Sequence, residues 1–265
     1  MFNVSCIQLT SDNNVFSNLE KTTDLIIGSI KKKADLIITP ENTSLFTFDH
    51  SELLEKAEEM NNNFFLESVS RISKSYKKWI LIGSLPIKLS KKLLANRSVL
   101  FNPNGKIANY YDKIHMFDVK LSNKEKYEES KKFLAGKRKV LAKLPWGLLG
   151  LTICYDVRFP NLYRDLAKKG AIFITVPSAF TKTTGEKHWH TLLKARAIEN
   201  FSYVFAAAQT GKHYNDRLTY GHSLIISPDG KILKEKEKGE GFIIARIDEN
   251  LPKKLRDKIP SLKSN

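Results

Sequence analysis

Short apolar runs rich in β-branched residues recur along this chain with room for a helix between many of them, and that alternation restricts the possible folds more than any other feature. The runs Val4 to Leu9, Asp35 to Thr39, Trp79 to Gly83, Ser98 to Asn102, Leu148 to Cys154, Ala171 to Val176, Tyr203 to Gln209, Ser223 to Ser227 and Phe242 to Ile247 are all strand-sized. Between several of them the apolar residues repeat with helical spacing, over Phe16 to Lys33, Ser51 to Lys77, Asn161 to Lys168 and Trp189 to Asn200. The pattern predicts an α/β protein whose helices cover buried sheets. Two tetrads, Asn102-Pro-Asn-Gly105 and Ser227-Pro-Asp-Gly230, place Pro and then Gly as a tight turn between strands requires, and their likeness hints at two pseudo-symmetric halves. No repeat, low-complexity tract or Pro/Gly-rich linker divides the chain, so one domain over residues 1–265 is expected. The charged, apolar-poor stretch from Asp118 to Lys139 is expected to be a surface excursion or a flap beside a site.

The bulk properties narrow the functional class. At 42% hydrophobic residues the chain can fill a substantial core, and no run approaches the roughly 18 apolar residues of a membrane span. MFNVSCIQLT enters strand-like alternation with no basic segment ahead of it, so a cytoplasmic protein is expected. Cys6 and Cys154 are the two cysteines, both read as reduced thiols, with Cys6 as core filler. The net charge of +16 would suit a nucleic-acid binder, but 35 of the 44 basic residues are lysines spread in short clusters, and arginine is the better reader of phosphate and bases. A solvated lysine-rich surface is the reading adopted, with no nucleic-acid partner expected.

The chemistry-bearing residues stand at strand ends. Leu148 to Pro160, LLGLTICYDVRFP, carries an apolar strand into Cys154 with a helical segment following. Open α/β sheets expose reactive groups at that edge, and amides of the next turn could receive an oxyanion. A thiol attacking an amide needs a base, and a carboxylate can serve once burial raises its pKa. Glu41 follows Asp35-Leu-Ile-Ile-Thr39 and Pro40, past another buried strand. Lys113, in Asn109-Tyr-Tyr-Asp-Lys-Ile-His115, could stabilise the negative tetrahedral intermediate, although a lysine taken singly in this chain is most often solvated.

The order Glu, Lys, Cys in the contexts ITPENTSLF, YYDKIHMFD and LTICYDVRFP resembles the nitrilase superfamily, the carbon–nitrogen hydrolases, and the similarity continues through VPSAF, HWHTLLKARAIEN, AAAQTGKH and YGHSLIISPDG to FIIARID. The resemblance implies a four-layer αββα sandwich. It makes Cys154 the nucleophile of a thioester acyl-enzyme, Glu41 the general base and Lys113 the stabilising cation. A second family glutamate beside the lysine corresponds to Glu129 in Tyr127-Glu-Glu-Ser130, where the neighbouring Glu128 competes for the role. Relatives commonly pair into dimers, which implies a homodimer or higher homo-oligomer here, and no cofactor or metal is implied.

The flanking sequence is most similar to the branch that hydrolyses deaminated glutathione to 2-oxoglutarate and cysteinylglycine, with omega-amidases acting on 2-oxoglutaramate as the alternative small-amide reading. Tyr155 stands where true nitrilases typically carry tryptophan, and Asp112 where close relatives often carry arginine. Remoter alternatives are the basic nucleic-acid binder and a catalytically dead interaction protein. Among other polar residues, His188 and His190 lie at i,i+2 and face different sides of a helix, so no metal site is expected of them. Arg196 and Glu199 are read as a structural ion pair. Asp156 and Arg158 are read as groups that hold the turn, with a substrate-carboxylate contact as the second possibility for Arg158.

Overall fold

The computed structural model describes residues 1–121 and 125–263, apart from the Asn215 side chain. The first sheet contains β1 (Phe2–Gln8), β2 (Leu36–Ile38), β3 (Trp79–Lys88), β4 (Leu94–Phe101), β5 (Ile107–Asp112) and, from the far end of the chain, β16 (Gly241–Ile247). The second contains β8 (Val140–Leu144), β9 (Gly147–Leu151), β10 (Ala171–Thr175), β11 (Tyr203–Ala206), β14 (Ser223–Ile226) and β15 (Ile232–Lys236). Two small hairpins, β6 (Asp118–Lys120) with β7 (Lys126–Glu128) and β12 (Thr210–Lys212) with β13 (Leu218–Tyr220), lie outside the sheets. The helices are α1 (Val15–Lys31), α2 (His50–Lys56), α3 (Phe64–Tyr76), α4 (Pro160–Lys168), α5 (Lys182–Asn200) and α6 (Leu251–Lys258).

Period-two alternation sorts the strand residues into layers. In β2, Leu36 and Ile38 face the second sheet, joining Val4, Cys6, Leu81, Leu100, Leu149, Leu151 and Phe173 in one core. Ile37, between them, turns to the opposite side with Ile80, Ile82 and Phe101, where Ile26 of α1 and Phe65, Leu66 and Val69 of α3 cover them. Each such fully buried side chain stabilises the fold by roughly 1.5–3 kcal/mol. Leu162 and Leu166 of α4, with Trp189 and Leu193 of α5, cover the outer face of the second sheet. Helix, sheet, sheet, helix is the expected αββα sandwich.

The hint of internal symmetry holds at the level of topology. Along β16-β1-β2-β3-β4-β5 and along β8-β9-β10-β11-β14-β15 the neighbours pair identically, one antiparallel junction, two parallel and two antiparallel. The two Pro/Gly tetrads occupy equivalent places, joining β4 to β5 and β14 to β15, with Gly105 and Gly230 at φ +75° and +84°. A left-handed backbone at that point is what glycine supplies without a Cβ clash.

Helical spacing over Ser51 to Lys77 does not give one helix. The chain leaves α2 at Ala57 (φ −72°, ψ 137°), the Glu58 carbonyl accepts the Lys88 amide at 2.9 Å, and Asn63 caps a new helix through the Leu66 amide. Conversely, α5 begins before Trp189, because Thr181 caps it at the Thr184 amide. The stretch from Asp118 to Lys139 holds the β6–β7 hairpin and the turn 129–131, with residues 122–124 of it outside the described residues.

Candidate active site

Equivalent loops leave the two sheets side by side. Thr39-Pro40-Glu41 follows β2, and Val176-Pro177-Ser178 follows β10, its counterpart in the other sheet. Both prolines pass over an irregularity in β3, where the register shifts between Ile82 and Leu85. There the Gly83 amide donates to Thr39 Oγ1 at 2.9 Å, the Ser84 amide to the Pro40 carbonyl at 3.1 Å, and the Asn42 amide to Ser84 Oγ at 3.0 Å. The loop carrying Glu41 is clamped from below, and Gln209 Nε2 holds the Glu41 carbonyl at 3.0 Å from the side.

Cys154 opens the turn after β9 with φ +47°, a region costly for a residue with a Cβ. Several anchors hold it there. Its amide donates to the Pro177 carbonyl at 2.9 Å, and the fully buried Asp156 ties the turn to the segment after β5. Asp156 Oδ2 accepts the Ile153 amide at 2.9 Å and the Tyr111 hydroxyl at 2.7 Å, while Oδ1 accepts the His115 amide at 3.1 Å and His115 Nδ1 at 2.7 Å. Arg196 Nε reaches the Val157 carbonyl at 2.9 Å while NH1 pairs with Glu199 at 2.7 Å, so that ion pair also braces the turn. Asp156 and Arg196 thus act as the scaffolding groups expected of them.

Lys113 joins the loops into one cluster. Its ammonium lies 2.8 Å from Glu41 Oε1 and 3.0 and 2.8 Å from the two oxygens of Glu129, and it is 2% exposed. Glu128 turns away to Lys126 and Lys131 at the surface, which decides between the neighbouring glutamates. Asp112 is likewise occupied elsewhere, in a two-point pair with Arg97 at 2.6 and 2.8 Å. Sequence reasoning missed Asn96, whose Nδ2 donates to Glu41 at 3.1 Å and to Glu129 at 3.0 Å, keeping the two carboxylates from facing each other unshielded. The signal for it was a polar Asn-Arg pair interrupting the apolar run of β4.

Burial acts on every charge here, and the partners decide the outcome. For Glu41, burial pushes the pKa up, yet the Lys113 charge, hydrogen bonds from Lys113 and Cys154 and the Ala179 amide at 2.8 Å outweigh it and hold the carboxyl below its ordinary range. This corrects the expectation that burial would raise it. For Lys113, burial works against the ammonium, but Glu129 and Glu41 push its pKa above the ordinary lysine value. The Cys154 thiol is pushed up by burial first and then by the Glu41 charge. At rest Glu41 is therefore a carboxylate, Lys113 an ammonium and Cys154 a neutral thiol.

These side chains form the end of a cavity of about 670 Å³, a size suited to a small organic molecule. Phe48, Phe117, Tyr127, Tyr155 and Phe180 form its apolar walls, and Lys132, Lys182 and Arg217 stand among the cationic residues lining it. Arg158 lies outside the lining, with its guanidinium over the Phe180 ring at 5.3 Å and NH2 3.3 Å from His188 Nδ1. His188 and His190 point apart, as i,i+2 residues must. His190 instead meets His222, remote in sequence, with both rings on Glu235 Oε1 at 2.8 and 2.6 Å, a grouping that spacing along one helix could not reveal. Cys6 and Cys154 are both free thiols, and Cys6 is fully buried between the sheets. Among the described residues no helix is long and apolar enough to cross a membrane.

Comparison with known proteins agrees with the geometry. The carbon–nitrogen hydrolase family model matches residues 3–257. The deaminated glutathione amidase of Yersinia enterocolitica is 38% identical over 99% of this chain and 92% of its own length. Among solved structures, the Caenorhabditis elegans NitFhit protein superposes with a TM-score of 0.93 at 32% identity, this chain being fully covered and spanning 65% of that longer one. Saccharomyces cerevisiae Nit3, described as a member of branch 10 of the nitrilase superfamily, gives 0.88 at 27% identity, over 99% of this chain and 96% of that one. A match running through both sheets and every loop that reaches the cavity makes this chain a member of the carbon–nitrogen hydrolase family, enzymes of the nitrilase superfamily that cleave carbon–nitrogen bonds other than peptide bonds.

Proposed function

We propose that the whole chain is one catalytic domain, an amidase in which Cys154 is the nucleophile, Glu41 the general base, Lys113 the transition-state cation and Glu129 the residue that orients Lys113. The observation that carries this reading is the buried Glu41–Lys113–Glu129 cluster set against a conformationally strained Cys154 at the end of a cavity walled by aromatic rings and cations. The thiol is neutral at rest, so its proton passes to Glu41 as sulfur attacks the amide carbon. Glu41 is ionised and ready to accept it. Of the three N–H bonds of Lys113, one serves Glu41 and one is shared by the oxygens of Glu129, which leaves the third for the oxyanion. As the tetrahedral intermediate collapses, the C–N bond breaks and Glu41 returns the proton to the departing amine. Water then gives a proton to Glu41 while its oxygen attacks the thioester, releasing the acid and restoring the thiol.

The substrate in this reading is deaminated glutathione, cleaved to 2-oxoglutarate and cysteinylglycine, and the name carried by the Yersinia relative supports it. A homodimer in the cytoplasm belongs to the same reading, and sedimentation velocity checks the pairing. The decisive experiment is mass spectrometry of protein quenched during turnover of 2-oxo acid amides. An acyl adduct of the expected mass should form and disappear in Cys154→Ala. Glu41→Gln and Glu129→Gln should each lower kcat by about 10²- to 10³-fold, as loss of one transition-state contact does, while Glu128→Gln stays within twofold. Full activity in Glu41→Gln, or an adduct that survives in Cys154→Ala, would overturn the assignment.

A further inference from the structure

Two cations on the cavity wall lack the partners such groups normally have. Arg217 enters β13 with its guanidinium 4.6 Å from the Phe48 ring centroid, 4.8 Å from that of Tyr127 and 5.4 Å from that of Phe46. NH2 donates to the Ala179 carbonyl at 2.6 Å, and Nε is buried with no acceptor. Lys132 donates to the Phe48 carbonyl and stands 5.5 Å over the same Phe48 ring. Among the described residues no carboxylate oxygen lies within 4 Å of either cation.

Asp49, whose charge acts on Lys132 from beyond 4 Å, caps α2 at the Glu52 amide, and the other acids nearby are engaged elsewhere. Glu129 holds Lys113, Glu128 holds Lys126 and Lys131, Asp216 holds Lys212, and Glu125 accepts the Tyr127 hydroxyl. Two like charges on one aromatic ring, partly withdrawn from water, repel each other unless an anion sits between them. Ala179 links them to the chemistry, because its amide donates to Glu41 Oε2 while its carbonyl accepts from Arg217. An anion bound here lies against the same loop that holds the base.

We propose that Arg217 and Lys132 form a receptor for a carboxylate of the amide substrate, with Phe48 and Tyr127 holding the guanidinium plane in place. The proposal rests on the acyl-transfer reading above and assigns to these two residues the selection of amides with acidic rather than neutral acyl or amine components. With Nε buried and NH2 already donating once to Ala179, the end of the guanidinium, NH1 and the other N–H of NH2, is what can give a carboxylate two parallel N–H···O bonds, and the ammonium adds a third charge-assisted contact. One carboxylate chemistry has two sources, the acid end of the acyl group or an acid end on the leaving amine.

Selectivity between charged and neutral substrates tests it. The ratio of kcat/KM for an acidic amide to that for its analogue lacking the carboxylate should fall by about ten- to a hundredfold in Arg217→Gln, and also fall in Lys132→Gln, since hydrogen bonds to charged groups are worth that much. Analogues neutral only at the acyl end or only at the amine end identify which carboxylate is bound. An unchanged ratio in both variants, whether or not overall turnover falls, overturns the proposal, because a purely structural role depresses both substrates alike. Calorimetry separates this from failure of the acyl-transfer reading. 2-Oxoglutarate and cysteinylglycine carry the two candidate carboxylates, and at least one of them should bind the Cys154→Ala protein and lose at least tenfold in affinity when Arg217→Gln is added, an outcome that needs no turnover. Equal binding of both products in the two proteins refutes the receptor even if the hydrolase reading stands.

Discussion

Gly83→Ala tests whether the irregularity in β3 positions Glu41, the proposed base. A Cβ at residue 83 would stand 2.0 Å from the Thr39 carbonyl oxygen, 2.4 Å from that of Pro40 and 2.5 Å from Pro177 Cβ. Ordinary contact begins near 3.4 Å, so both loops must retreat by about an ångström or more, and two of the three atoms are backbone that cannot rotate aside. Those loops carry Glu41 and the Ala179 amide that holds it. A misplacement of about 1 Å costs roughly 10²-fold in rate, or about 2.7 kcal/mol of barrier, and overpacking should remove about 1–3 kcal/mol of stability. Gly239→Ala is the comparison, since its Cβ meets nothing within 4 Å although φ is +71°. It should lose about 1 kcal/mol of stability through backbone conformation alone, with kcat unchanged. The assay is steady-state kcat beside urea unfolding for both variants. If Gly83→Ala keeps kcat within twofold of wild type, the close approach does not set the position of Glu41 and the reasoning fails.

Asp156→Asn places an NH2 group where a carboxylate accepts hydrogen bonds at both oxygens, so at least one buried donor is left facing another, and unfolding in urea should show a loss of about 3 kcal/mol or more. An Asn variant as stable as wild type would remove Asp156 as the anchor of the Cys154 turn. His213, buried between the Ser11 carbonyl and Thr219 Oγ1, has its pKa pushed down to about 4 by burial. Its neutral form is the folded one, so stability is intact above the unfolded value near 6.5 and falls as pH drops from there towards 4. The total loss is about 3 kcal/mol. Urea midpoints at pH 7 and 4.5 should converge on a smaller difference in His213→Gln, and an unchanged difference would assign the acid sensitivity to other groups.

Much of the fold could be read along the chain because its physical causes are local. Continuous apolar runs in Asp35 to Thr39 and Leu148 to Cys154 demand strands with two buried faces, and the two Pro/Gly tetrads demand tight turns, whatever lies elsewhere. The break between α2 and α3 escaped, since helical periodicity continues through Ala57 and only pairing of Glu58 with distant Lys88 ends the helix. Short edge strands such as β8 and β15 escaped too, being half-exposed and carrying weak alternation.

The sequence alone pointed to Cys154, Glu41 and Lys113 as the proposed nucleophile, base and cation, because those residue types at strand ends in that order match one family. What only the tertiary structure decided is which atoms share a charge. That Glu129 rather than Glu128 holds Lys113, that Asn96 spans the two carboxyl groups, that Glu41 lies below rather than above its ordinary range, and that Arg217 and Lys132 flank one ring with no counter-ion among the described residues all depend on distances across the two sheets. Electrostatic energies vary steeply over a few ångströms in a buried site. Separation along the chain carries no information about them.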